Sequence, residues 1–129
     1  MRKIIATALS AVLILALGPA PARADASTEI QLFWTTLAAR GAAVDVNFGI
    51  TCPVDVDGTA TVAITQTRDD GLTASGTGFD EFSCRNGSIL NITRVTASVL
   101  GAPFERGSAR LTMVVTGAAP INRNVRLTS

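Results

Sequence analysis

Apolar and polar residues alternate with a period of two along most of this chain. From Val44 to Cys52 the run V-D-V-N-F-G-I-T-C sets Val44, Val46, Phe48, Ile50 and Cys52 on one face and Asp45, Asn47, Gly49 and Thr51 on the other. That pattern predicts a half-buried strand. The same alternation returns in Thr59 to Thr67 (Ala60, Val62 and Ile64 in phase), in Ala109 to Thr116 (Ala109, Leu111, Met113, Val115) and in Ile121 to Thr128 (Ile121, Val125, Leu127). Ile30, Leu32 and Trp34 share a phase near the front, Phe79 to Cys84 predicts a short strand with Phe82 and Cys84 in phase, and Ser88 to Leu100 is β-rich with apolar residues in both registers, which leaves its orientation open. Asn86-Gly87 predicts a tight turn, and Asp55-Val56-Asp57-Gly58 predicts another. The polar, glycine-rich Arg68 to Gly78 predicts a long hairpin loop with a short edge strand around Leu72 to Ser75, and Thr35 to Ala43 predicts a turn of helix or a connection. About seven short strands in one chain point to an all-β fold, an antiparallel immunoglobulin-like sandwich, with a small barrel as the alternative.

The first 24 residues break this pattern. Arg2 and Lys3 precede an apolar run from Ile4 to Leu17, and the small-residue stretch ends at Ala22-Arg23-Ala24. These are the parts of a secretory signal peptide, residues 1–24, which leaves a single mature domain over 25–129. The run is shorter than the roughly 20 apolar residues of a membrane span. The expected location is therefore secreted, in the extracellular or cell-envelope space, with no membrane attachment after cleavage.

Export changes how the cysteines read. Cys52 and Cys84 are the only two in the chain, and an oxidising compartment favours their pairing as a disulfide. Closing a loop of this span is worth about 3 to 4 kcal/mol in the chain-entropy model. A redox role would favour a Cys-x-x-Cys spacing, and zinc would need more ligands than a chain without His readily offers. In antibody-type domains a core Trp lies between the cysteines, whereas Trp34 precedes both here.

Removing the leader also removes Arg2, Lys3 and Arg23, so eight arginines face ten carboxylates and the mature net charge is −2. A slightly acidic chain without lysine is a poor match for nucleic acid. Thr51-Cys52, the Val62 to Thr67 run with Gln66, the turn Cys84-Arg85-Asn86-Gly87 and the segment Phe104-Glu105-Arg106-Gly107-Ser108-Ala109 give the chain from Gly41 onward a further character. It resembles small secreted actinobacterial immunoglobulin-like β-sandwich proteins of unassigned function. The resemblance implies the fold and the secreted context and carries over no functional residue.

Catalytic chemistry has little to work with. No His and no Tyr occur, which removes Ser-His-Asp and Cys-His designs and imidazole metal sites. The carboxylate pairs Asp55/Asp57, Asp69/Asp70 and Asp80/Glu81 read as solvated turn and loop residues rather than as an acid-base pair. Asp55-x-Asp57-Gly58, with Asp69 and Asp70 as further oxygen donors, is the calcium-like alternative, although it lacks a bidentate Glu at the required spacing. Phe33 and Trp34 are neighbours, so in a regular strand they face opposite sides and one of them can be exposed to stack on a partner. No catalytic residue and no cofactor is expected. The expected function is a non-catalytic secreted binding or interaction module for a protein or glycan partner; a secreted protease inhibitor presenting the Arg68 to Gly78 loop, or a small exported enzyme, is the alternative.

Overall fold

The computed structural model describes residues 27–129; the expected signal peptide, residues 1–24, lies outside the described residues. Seven strands follow in order: β1 (Glu29–Ala38), β2 (Ala43–Cys52), β3 (Val56–Thr67), β4 (Thr73–Cys84), β5 (Gly87–Ala97), β6 (Gly107–Val115) and β7 (Ile121–Thr128). The period-two pattern is the reason for them. In β2 the residues Val44, Val46, Phe48, Ile50 and Cys52 are all buried, and β3 and β6 bury Ala60, Val62, Ile64, Leu111 and Met113 in the same way. Fully burying an aliphatic or aromatic side chain of this size is worth about 1.5 to 3 kcal/mol, so these strands supply most of the driving force. In β5, where both registers contain apolar residues, Thr93 and Val95 point inward and Leu90 and Ile92 stay exposed.

Cys52 and Cys84 form a disulfide that ties the end of β2 to the end of β4. Those strands are not neighbours, because β5 lies between them in the sheet order.

Three local expectations are corrected. The Asp55 to Gly58 turn falls earlier, over Pro53 to Asp55, and Asp57 and Gly58 already pair with Ser83 and Phe82 in the β3–β4 ladder. The long loop expected over Arg68 to Gly78 shrinks to Arg68–Leu72, since β4 pairs continuously with β3 from Thr73 to Cys84. Gly76 and Gly78 had signalled a loop. Their role is steric instead: a Cβ at Gly76 would run into the Thr96 carbonyl, and one at Gly78 into that of Arg94. Finally, Thr35 to Ala38 continues β1, and the helix-compatible stretch holds only a tight turn at Ala39–Gly41.

That turn is left-handed at three consecutive residues, with φ of 51° at Ala39, 58° at Arg40 and 89° at Gly41. Such a conformation costs roughly 1 to 2 kcal/mol for each residue that carries a Cβ. Surrounding bonds offset it: the N–H of Ala42 donates to the Ala39 carbonyl (3.1 Å), that of Phe104 to the Gly41 carbonyl (2.8 Å) and that of Ala97 to the Ala42 carbonyl (2.8 Å).

The strands close on themselves in the order β1-β2-β5-β4-β3-β6-β7, a barrel rather than the two separate sheets of the expected sandwich. Two seams close it. One joins β4 to β5 at Gly76–Ala97 and Thr77–Thr96, and the other joins β1 to β7, in parallel, at Thr35–Leu127 and Thr36–Thr128. Every other adjacent pair of strands shares a longer ladder.

Candidate groove between the first and last strands

The β1–β7 seam is shaped by one extra residue. Leu32 pairs with Phe48 and Trp34 with Asn47, which leaves Phe33 as a bulge. A bulge breaks the alternation locally and re-aims the side chains around it. Phe33 and Trp34 were expected on opposite sides of the strand; instead both are exposed, at 41% and 59%, with ring centroids 5.9 Å apart. The Phe33 ring rests over Gly49, where a Cβ would stand 3.2 Å from its Cε2. Across β2, Leu90 and Ile92 pair with Gly49 and Asn47 and extend the apolar surface outward.

Past the bulge, Thr35 turns inward and its hydroxyl donates to the Arg126 carbonyl (2.8 Å), while the Thr128 hydroxyl donates to the Thr35 carbonyl (3.3 Å). These bonds close one end of the seam. At the other end the N–H of Thr28 donates to the Gly117 carbonyl (3.1 Å). Between the two closures, from Glu29 to Trp34 on β1 and from Ile121 to Arg126 on β7, no backbone pair crosses.

Two cavities occupy this gap. One of about 300 Å³ is lined by Leu32, Phe33, Trp34, Arg123, Val125 and Arg126 among others. The second, of about 400 Å³, includes Thr28, Glu29, Ile30, Pro120 and Ile121, and shares Arg123 with the first. Ile30, Leu32, Ile121 and Val125 pack on the core and make the floor apolar.

Arg123 is out of place by the strand's own pattern. It lies opposite the buried Leu111 and between Ile121 and Val125, in the phase that faces the core, yet it is exposed because the barrel is open there. Arg126 stands three residues on. Neither has a carboxylate within ion-pairing distance among the described residues, whereas Arg68, Arg85 and Arg94 pair with Asp70, Asp57 and Asp45. On the adjoining outer face Arg110 donates to the side-chain amide oxygens of Asn122 (2.6 Å) and Asn124 (3.1 Å), and Arg106 donates to the Ser129 hydroxyl (2.8 Å). The result is a positively charged strip along β6 and β7.

The carboxylates weighed as a calcium site are not brought together. Asp55 and Asp57 lie at the start of β3, and Asp69 and Asp70 lie beyond its other end, a full strand away. Asp57 accepts bonds from the Ser83 hydroxyl and from Arg85 (2.7 Å). The Ser83 bond, ahead of the Arg85 charge, holds the Asp57 carboxyl below its ordinary range. Asp70 is lowered chiefly by the Leu72 N–H and then by Arg68, and Asp45 chiefly by its hydrogen bond from Arg94. Among the described residues no three His, Cys, Asp or Glu converge to hold a metal ion. Asp80 and Glu81 are consecutive in β4 and so point to opposite faces, a poor arrangement for two carboxylates flanking a sugar.

The Arg68 segment is a pinned corner. Its N–H donates to the Leu72 carbonyl (2.8 Å), its guanidinium reaches Asp70 and the Pro103 carbonyl, and the Asp69 N–H donates to Glu105. Beside it the buried Gln66 exchanges bonds with the Glu105 backbone in both directions (2.8 and 2.9 Å). Sequence reasoning named Phe33 and Trp34 but missed Arg123 and Arg126. The available signal was the interruption of the series Ile121, Val125, Leu127 by a charge at the one missing in-phase position.

No protein-family model matches the chain, and no curated protein aligns with it. Solved structures show related shapes. A β-glucosidase from Listeria innocua in complex with glucose superposes at a TM-score of 0.50 and 11% identity, over 81% of this chain and 16% of that one. The alkylpurine DNA glycosylase AlkC of Pseudomonas fluorescens, bound to DNA containing an abasic site analog, gives 0.44 at 14% identity over 78% of this chain and 31% of its own. R. palustris CsgH gives 0.40 at 17% identity over 77% and 91% of the two chains. The chain thus spans less than a third of the glycosylase and less than a fifth of the glucosidase, and the likeness at a TM-score of 0.50 is one of fold alone.

Proposed function

We propose that this is a secreted, non-catalytic binding module of immunoglobulin-like ancestry, and that it engages its partner through the β1–β7 groove. The observation that carries the reading is the groove itself: an apolar floor, two exposed aromatic rings at one mouth and two arginines without carboxylate partners among the described residues. An exposed apolar surface rimmed by polar groups is what a protein partner site requires. The leader-like sequence of residues 1–24 and the Cys52–Cys84 disulfide support an extracellular or cell-envelope location. Most of the backbone pairing falls within β1-β2-β5 and β4-β3-β6-β7, with only two residue pairs at each seam, and that distribution supports kinship with two-sheet sandwiches, the small secreted proteins of the sequence resemblance included.

The non-catalytic part rests on the best hydroxyl candidate. Ser83 donates to Asp57, but that carboxylate also accepts from Arg85 and is held at lowered pKa, which makes it a weak base for activating an alcohol. The inhibitor alternative loses its main support, since the long presenting loop is absent and the remaining corner is tied down at Arg68.

A backbone-amide NMR titration of the oxidised protein tests the reading, with pools of random peptides and of soluble oligosaccharides as probes. The expected result is shifts confined to residues 29–36 and 121–128. Shifts confined to the β3–β4 face, or turnover of any probe, would overturn it.

A further inference from the structure

The unpaired stretch of the β1–β7 seam is the length of a short strand. From Ile121 to Arg126 the six residues of β7 span about 20 Å at the usual strand rise. Their ladder with β6 is regular from Gly107–Leu127 to Met113–Ile121, so the opposite edge of β7 presents its N–H and C=O groups in regular strand spacing. Among the described residues only the C-terminal end of that edge, from the Arg126 carbonyl onward, is used, by Thr35 and Thr36. The facing edge of β1 is interrupted by the Phe33 bulge and is the less suitable template.

We infer that an extended peptide segment of a partner protein adds as a strand to this free edge of β7, carrying carboxylate side chains toward Arg123 and Arg126. The inference rests on the binding-module reading and names the occupant. Strand addition supplies affinity through main-chain bonds and specificity through the side-chain contacts beside the edge. Here those contacts are chemically distinct along the gap. At the Phe33–Trp34 end the walls hold two arginines and no acid, while Glu29 stands at the other end. Arg123 and Arg126 lie three residues apart and leave the strand on opposite faces, so a carboxylate on the peptide's outer side belongs beside Arg126, where bidentate guanidinium pairing is available, while on its inner side a carboxylate meets Arg123 and an apolar residue lies over Leu32 and Val125.

A competing account uses the same residue differently. An inward-pointing charge on an edge strand guards against pairing with other chains. On that account Arg123 repels strands rather than receiving one.

The test uses the oxidised protein and capped peptides of about eight residues that alternate valine with glutamate, glutamine or lysine, together with a glutamate peptide carrying a central proline. Binding is read by fluorescence anisotropy, and its site by amide shifts. The glutamate peptide is expected to bind, to lose about tenfold or more in affinity with Arg123→Gln combined with Arg126→Gln, and to be weakened by proline, which removes a ladder donor. Circular dichroism of the double variant confirms that it is folded. Equal binding of the proline peptide, or of the lysine peptide, overturns strand addition. Failure of every peptide together with self-association of Arg123→Gln in sedimentation velocity also overturns it, in favour of the guard. If oligosaccharides alone shift the groove amides, strand addition fails while the groove remains the binding site; if no probe shifts them, both fail.

Discussion

The barrel is closed twice, each time by two backbone pairs, and the two closures are built in opposite ways. At β4–β5 the chain removes side chains. Gly76 and Gly78 let one strand lie against the carbonyls of Thr96 and Arg94, and Asp80 and Thr93 bond across the same seam, hydroxyl to carboxylate, at 3.4 Å. At β1–β7 the chain adds them: an extra aromatic residue bulges β1 and an arginine occupies a core-phase position of β7. At Gly76 and Gly78 the glycine seam leaves no room for a side chain, whereas the seam held apart at Phe33 and Arg123 leaves an apolar floor and, among the described residues, an unpaired strand edge. The first is a structural joint and the second is the proposed site.

Substitution at each seam sharpens that contrast. Gly76→Val forces a branched side chain against backbone that cannot retreat, and it is expected to cost about 3 kcal/mol or to prevent folding, as read by urea denaturation. A loss below about 1 kcal/mol would mean that the β4–β5 closure is as loose as its counterpart. Asn91 tests the packed side from the other direction. Its Nδ2 is buried with no hydrogen-bond partner among the described residues, so Asn91→Leu, which keeps the branching of the side chain and removes an unsatisfied donor, is expected to gain about 1 kcal/mol in the same assay. Arg123→Val restores the apolar phase of β7 at the open seam and is expected to change stability by no more than about 0.5 kcal/mol.

The smallest expected effect is of pH. Asp45, Asp57 and Asp70 all have lowered folded-state values, so their contribution is complete above the unfolded value of about 3.9 and is lost as pH falls through the folded ones. Thermal midpoints by circular dichroism are expected to stay level from about pH 7 to 5 and to decline modestly below about pH 4. None of these three carboxylates borders the open seam, so their loss in acid should weaken the fold away from the groove.

Much of the fold was legible in the pattern of residues. The phases of Val44 to Cys52, Ala60 to Ile64 and Ala109 to Val115 named the buried faces, and the disulfide was the expectation from the count of two cysteines and the expected compartment. Closure into a barrel stood only as the alternative to a sandwich, because it depends on where non-adjacent strands meet, and Gly76 and Gly78 carry the same letters whether they mark a loop or a close approach. The site was half visible. Phe33 and Trp34 stood out as neighbours, but a single inserted residue put both outside, and alternation alone cannot register a bulge. Arg123 was readable as a break in phase, although its meaning required knowing that β7 has an open edge.

The bonds that hold the open seam join the two ends of the chain: Thr35 to Arg126 across 91 positions and Thr128 to Thr35 across 93. The loop that must close to make them is nearly the whole domain, and closure entropy rises with loop length, though slowly. These contacts are then expected to form late in folding. With only two backbone pairs to protect them, they are also the first to open afterwards, and their amides should exchange with solvent well before those of the ten-pair β2–β5 ladder. The free edge of β7 lengthens each time they part, so this barrel can widen its groove from one end while the rest of the sheet stays folded.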